Sequence, residues 1–416
     1  MSNSARRERQ PLENGHKLWF GGLLVIFALP GFAFASWVSR TTTIRDQLDA
    51  STSQMGFLLL GLATGSIVGL TGSGRLISRL GARRSIAAST MLLALGFIAA
   101  GAGTAVALAP VIFAGLLIFG IGYGVLDVAM NVEGGSLEQA LGRNVMPLLH
   151  ALFSLGMLLG ALAGTAAIAA QLPVSIHLAA VGLALGGGVY ALSRCLPPAT
   201  GREAAEEREA DVPGASRASG ARLSAKIWRE PRVWMIGLIV LGAAFSEGAA
   251  SDWIPLAMVD GYGVEAATGS LVYGFFVGAM LVARLAGGYM LDRFGRVAVL
   301  RGCAALSVAG LLVFIFGSGT AAAATGAVLW GLGASVGFPV GLSAAGDEPR
   351  GAAARVSAVA MIGYFAFLVG PPSLGLLGEQ IGLRRAMLVV LAMVLLAGLL
   401  SHAARKPRRS GAPEGR

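Results

Sequence analysis

A few side chains able to carry charge or trade a proton lie within, or at the edge of, long apolar stretches. Asp127 sits in Leu126-Asp-Val-Ala-Met-Asn131, with Asn131 and Glu133 a turn or more further on. Glu247 and Asp252 share Phe245-Ser-Glu-Gly-Ala-Ala-Ser-Asp-Trp253, and His150, Arg284 and Arg40 stand apart from them. A charge at the centre of a membrane-length helix costs about 3 kcal/mol on insertion scales unless it meets a counter-charge or a wet cavity. Such residues suit the binding of a polar solute or the movement of a proton. Bond-making chemistry is not expected, because no nucleophile, base and orienting group cluster in the sequence. Cys195 and Cys303 give neither a disulfide framework nor metal-ligand spacing, so no metal and no cofactor is expected.

Each position also has a plainer reading. Asp127 could contact an arginine at the nearby helix end, Asn131 and Glu133 could face water, and His150 could serve packing. Trp253 reads as an interfacial anchor. Glu247 lies about 22 Å into its stretch at 1.5 Å per residue. It has no cation in its own helix and only small neighbours, so it is expected to face a cavity. Arg284 is expected to brace the polar loop that follows and to turn toward water.

The elements that must position these groups are membrane helices. Of 416 residues, 55% are hydrophobic and 13% charged, and the mean hydropathy is +0.72. Soluble domains carry about 25% charged residues, so lipid must solvate most of this chain. Glycine, 61 residues, points to closely packed helices. Apolar runs fall near 18–38, 54–73, 85–105, 108–130, 146–169 and 175–194, then near 233–257, 267–291, 297–317, 320–344, 354–378 and 384–403. The expectation is an all-α membrane protein of twelve transmembrane helices. Residues 1–17 form an N-terminal segment, 18–194 a first six-helix bundle, 195–232 a polar linker, 233–403 a second bundle and 404–416 a basic tail.

The net charge of +10 does not indicate nucleic acid, because its distribution follows membrane sidedness. Of the 32 Lys and Arg, 27 fall in segments on the side of the two termini, four on the other side, and Arg284 within a span. The positive-inside rule therefore predicts cytoplasmic termini. The first apolar run reads as a retained helix, not a cleaved signal.

Gly288-Tyr-Met-Leu-Asp-Arg-Phe-Gly-Arg296 makes a polar hairpin between two apolar runs, and Gly74-Arg-Leu-Ile-Ser-Arg-Leu-Gly-Ala-Arg-Arg84 is a degraded copy 214 residues earlier. Gly288, Asp292, Arg293, Gly295 and Arg296 thus correspond to Gly74, Ser78, Arg79, Gly81 and, one place on, Arg83. Gly120-Ile-Gly122 recurs as Gly331-Leu-Gly333, and Gly156, Gly160 and Gly164 resemble Ala366, Gly370 and Gly375. Repetition at this offset means two copies of one unit, with a binding site between them.

The hairpin resembles the loop signature of the major facilitator superfamily, found after the second helix of each six-helix half. The resemblance covers residues 18–403. It implies two pseudo-symmetric six-helix bundles that expose a central site to each side of the membrane in turn. It further implies that Asp292 holds the cytoplasmic side closed by meeting the start of the fifth helix near Val145, which uncharged Ser78 cannot do. Ile118 stands where the family often has an arginine linked to proton coupling. Ala161 replaces the proline of the antiporter signature G-x-x-x-G-P. Leu126–Glu133, His150–Gly156, Ser246–Trp253 and Ser39-Arg-Thr-Thr-Thr-Ile-Arg45 resemble the rhizopine-locus membrane proteins and related bacterial inner-membrane carriers.

The expected function is secondary transport of a small polar solute, with a sugar- or inositol-like compound and H+ as candidates. Glu247, Asp127, Asn131 and His150 would bind or couple, and Arg40 would pair with Asp252 as the outer gate. A drug or cation exporter, and a receptor or scaffold on the same fold, are the alternatives. No Walker-type segment encodes ATP drive. The expected partners are the solute and the bilayer, with no nucleic acid, and the expected state is a monomer in the bacterial inner membrane.

Overall fold

A computed structural model describes residues 14–198, 200–201, 227–348 and 351–406. Most of the expected linker, the first thirteen residues and most of the basic tail lie outside them. Helix boundaries follow local chemistry. The first helix, α1 (Asn14–Ser39), gives way at Arg40 to a short helix that the hydropathy does not signal, α2 (Thr41–Leu48). Ser51 and Gln54 form a reciprocal cap for α3 (Thr52–Leu80), each side chain accepting from the other's backbone N–H. Then come α4 (Ala82–Ala105), α5 (Ala109–Leu141), α6 (Met146–Ala169) and α7 (Val174–Ser193). Proline in the first turn starts α5, α6 and α8 (Pro231–Tyr262), where its missing N–H is not needed.

The next helix, α9 (Ala266–Phe316), runs 51 residues, about 76 Å at 1.5 Å per residue. That is more than twice the ~30 Å hydrocarbon core. It is two spans joined at Gly295, whose backbone is non-helical at φ 75° and ψ 162°. Gly81, its counterpart between α3 and α4, has φ 82° and ψ 163°. Both halves of the repeat therefore turn on the same glycine conformation, one that L-residues rarely adopt. The expected tenth span is broken, with α10 (Gly319–Ala334) and α11 (Gly337–Ala345) separated at Ser335 and Val336. Two more helices, α12 (Ala352–Ile381) and α13 (Leu383–Leu400), complete the bundle. Among the described residues eleven helical stretches, α10 and α11 counted as one, are long and apolar enough to cross a membrane, and the break at Gly295 makes twelve crossings. No strand occurs among the described residues.

The packing repeats. In the first half α1 lies on α6, and α5 on α3 and α4; in the second α8 lies on α12, and α10 on both arms of α9. The two glycine pairs make this close approach possible. A Cβ on Gly120 would overlap the Leu62 carbonyl and one on Gly331 the Phe276 carbonyl; Gly122 and Gly333 meet Ser89 and Cys303 in the same way. Leu62 and Phe276, like Ser89 and Cys303, stand 214 residues apart, the offset of the hairpins. The halves meet through α3 on α12 and α6 on α9, a reciprocal arrangement.

Candidate functional site

Residues 123, 127 and 131 fall at i, i+4 and i+8 along α5, so Tyr123, Asp127 and Asn131 share a face. Gly120, Gly122 and Gly124 turn the rest of that helix onto α3 and α4. Asn131 Nδ2 donates to the Asp127 carbonyl at 2.7 Å and lies 3.4 Å from its Oδ1, while Asn131 Oδ1 is 3.1 Å from His150 Nε2 on α6. One turn on, Ser154 Oγ donates to the His150 carbonyl at 3.2 Å.

Ser154 links this track to the other half. Arg284 donates through Nη1 to Ser154 Oγ at 2.9 Å, through Nη2 to both oxygens of Glu247 at 3.0 and 3.1 Å, and through Nε to the Ser335 carbonyl at 3.2 Å. The break between α10 and α11, with Pro339 four residues on, frees that carbonyl, so all three guanidinium nitrogens are used. The expectation that Arg284 snorkels toward the following loop is thus corrected. Side chains lean toward the N-terminus of their helix. The α9 arm and α8 run in opposite directions, so Arg284 and Glu247 lean toward one another and meet at mid-depth. Their side chains are 23% and 22% exposed, which leaves the pair open to a solvated space. Tyr123 is within electrostatic reach of Asp127, Glu247 and Arg284. The structure therefore brings together Glu247, Asp127, Asn131 and His150 of the expected set. Arg284 and Ser154 join it; neither was legible as a ligand, and the one available signal was an arginine inside an apolar run.

Glu133 falls outside the track. It is fully buried toward the end of α5, where Thr200 Oγ1 lies 3.4 Å from its Oε1. The solvated helix end read from sequence is corrected: the start of the linker folds over it, with Ala82 N–H donating to the Thr200 carbonyl at 2.8 Å.

The two ends of the bundle differ. At the end away from the hairpins, Arg45 Nη1 donates to both oxygens of Asp260 at 2.5 and 2.6 Å, Ser53 N–H donates to Glu379 at 3.1 Å, and Thr165 Oγ1 donates to Ser270 at 2.8 Å. Each joins the two halves. Among the described residues, every hydrogen bond between halves lies at that end or at mid-depth. The expected Arg40–Asp252 pair is absent. Arg40 is 2% exposed and gives Nη2 to the Leu172 carbonyl at 2.6 Å. Asp252 is half-buried without a hydrogen bond among the described residues. The reason is α2: it carries the chain onward from Arg40, so that Arg45 reaches α8.

At the hairpin end Asp292 is exposed and does not meet α6. The free N–H groups of Val145 and Met146 donate instead to Glu138 Oε1 at 2.7 and 2.9 Å. Arg296 grips Asp347 at 2.7 and 2.9 Å, within its own half. Ser78 donates to the Arg75 carbonyl at 3.0 Å, Arg83 to the Leu196 carbonyl at 3.4 Å, and Arg79 is exposed. Gly74 and Gly288 have open space where a Cβ would stand.

The profile described as Major Facilitator Superfamily matches residues 22–366 and 253–416. The chain belongs to the major facilitator superfamily. Within that superfamily it is 29% identical over 387 residues to an uncharacterized transporter of Sinorhizobium fredii, an alignment covering 90% of this chain and 97% of the relative. It is 27% identical over 405 residues to membrane protein MosC of Rhizobium meliloti, covering 96% and 93%, in keeping with the rhizopine-locus resemblance. Among solved structures, the nucleoside transporter NupG (D323A mutant) superposes with a TM-score of 0.74 at 15% identity, covering 94% of this chain and 100% of that one. At that identity the likeness concerns the fold, which is the major facilitator fold.

Proposed function

We propose that the protein is a secondary active transporter of a small polar solute that works by alternating access, and that this structure is its inward-open state. The observation that carries the reading is the polar track Asp127–Asn131–His150–Ser154–Arg284–Glu247, which crosses from one half to the other at mid-depth between apolar helices. A solute seated there competes for Arg284 and Glu247 and so touches both halves at once. The halves divide at 18–194 and 233–403. The distribution of Lys and Arg makes the hairpin end cytoplasmic, with both termini there, in the inner membrane of a bacterium. The far end, sealed by Arg45–Asp260, is then the outer gate.

Asp292 belongs to the opposite state in this scheme. When the cytoplasmic ends close, its carboxylate replaces Glu138 at the start of α6, where unpaired N–H groups and the helix dipole favour an anion. The cation-exporter alternative loses support because Arg284 already neutralises Glu247, leaving Asp127 as the remaining acid of the track. The test is uptake of a panel of labelled neutral sugars, polyols and amino compounds into proteoliposomes, with and without a pH gradient. Saturable uptake of a polar solute, lost in Glu247→Gln, is expected. Uptake confined to lipophilic cations, or unchanged in Glu247→Gln, would overturn the reading.

A further inference from the structure

The corner between α1 and α2 holds an unusual surplus of buried donors. Arg40 is 2% exposed, and after its bond to the Leu172 carbonyl its Nε and Nη1 have no partner among the described residues. Thr42 Oγ1 and Trp37 Nε1, on the same short segment, are also buried without partners, as is Nδ1 of His177 on the first turn of α7. His177 is 6% exposed and close enough to Arg40 to feel its charge. The neighbouring hydroxyls of Ser39 and Thr41 are spent on the Ser36 and Val38 carbonyls. Asp46 and Asp260 are both held by Arg45, and among the described residues no carboxylate, Asp252 included, forms an ion pair with Arg40. All of the unpartnered groups can donate, and the arginine and tryptophan nitrogens can do nothing else.

A buried guanidinium stays charged and is costly without a counter-charge. Burial pulls the Arg40 pKa down from its ordinary value, the direction expected where nothing offsets the desolvation. Ordered water could satisfy the N–H groups but would leave the charge uncompensated. We propose that Arg40 is the centre of a buried site for a small monovalent anion of chloride size, enclosed by the α1–α2 corner and the start of α7. One arginine calls for one negative charge, and the closed surroundings favour a spherical ion over a phosphate or a larger carboxylate. The site lies wholly within the first half, clear of the polar track. The ion would fix the α1–α2 corner, from which α2 projects Arg45 toward Asp260.

The test uses purified full-length protein in detergent, with sodium gluconate exchanged for sodium chloride or bromide at constant ionic strength. The midpoint of thermal unfolding should rise with halide concentration and, above the dissociation constant, gain the same increment for each tenfold of halide. Sodium sulfate at matched ionic strength should not substitute. Arg40→Met removes the buried charge with similar bulk and is expected to fold and to lose the halide dependence, because replacing a buried charge by an apolar side chain is often neutral or stabilising. Arg45→Ala, which breaks the neighbouring pair, should keep it. A second readout on the unmodified protein is broadening of the chloride NMR line, saturable and reversed by bromide. A wild-type midpoint indifferent to halide, a dependence that survives in Arg40→Met, or an equal effect of sulfate would overturn the proposal.

Discussion

Arg284 does three jobs that one lysine cannot. Its Nη2 reaches both oxygens of Glu247 while the other two nitrogens of the planar group reach Ser154 in the other half and the carbonyl freed at Ser335. Arg284→Lys keeps the charge but can satisfy only part of this set. It is expected to reduce transport at least about tenfold, equivalent to ~1.4 kcal/mol, with little loss of folded protein; uptake at the wild-type rate would show that charge alone suffices. Removing one partner of a buried pair costs about 3–5 kcal/mol in general. Since each side chain here is about one-fifth exposed, Glu247→Gln should fall at or below the low end of that range in thermal stability. The sequence showed Glu247 and Arg284 separately, as ionisable residues among apolar ones. Their pairing was not legible, because it depends on the antiparallel course of α8 and α9 and on the direction in which helical side chains lean. Arg40 and Asp252 failed to pair for the corresponding reason: nothing in the hydropathy announces the eight-residue helix α2 that moves the contact to Arg45.

At the scale of elements, the two hairpins turn on glycines of one conformation, and the glycine pairs of α5 and α10 meet equivalent backbone atoms. Gly122→Val and Gly333→Val should therefore destabilise to a similar degree, by about 1–3 kcal/mol each where the backbone can shift. A thermal midpoint lowered by only one of them would argue against equivalent packing. Between the hairpins themselves the symmetry is broken by Ser78. Asp292 makes no contact with α6 in this state, so Asp292→Asn should leave this state intact and weaken the opposite one. A carboxylate at a helix start contributes ~0.3–1 kcal/mol when exposed and up to ~2 when partly buried. Asp292→Asn should then raise labelling of cytoplasm-facing cysteines several-fold, and Ser78→Ala should not; equal effects would remove the asymmetry. The number of spans, the hairpins and the repeat were readable because hydropathy and glycine spacing report directly on lipid contact and helix approach. The break at Ser335 was marked only by Pro339, whose missing N–H falls four residues on, and a proline alone does not tell a break from a kink or a helix start.

For the whole molecule, the hydrogen bonds that join the halves among the described residues lie at the far end and at mid-depth. The seal is polar at Arg45–Asp260, where the side chains are 14% and 33% exposed, and packed where Gly56 and Gly375 bring α3 against α12. A rim pair contributes ~0–1 kcal/mol, enough to bias two states separated by a few kcal/mol without locking either. Reversing it as Arg45→Asp with Asp260→Arg should recover more uptake than either single change, and a reversal no better than its worse parent would assign the seal to packing alone. We propose that the halves rock about the polar track, opening one end as the other closes. Paired spin labels test it most directly, one pair at Ser78 and Ser357 near the hairpin end and one at Gln47 and Ile381 at the far end, in protein with Cys195 and Cys303 replaced by serine. All four labelled positions are exposed. On addition of a transported solute, distance distributions from double electron–electron resonance should shift to shorter values for the first pair and longer values for the second, and Glu247→Gln should abolish the shift. Two pairs that stay fixed in the presence of a bound solute, or that move in the same direction, would rule out rocking of the halves.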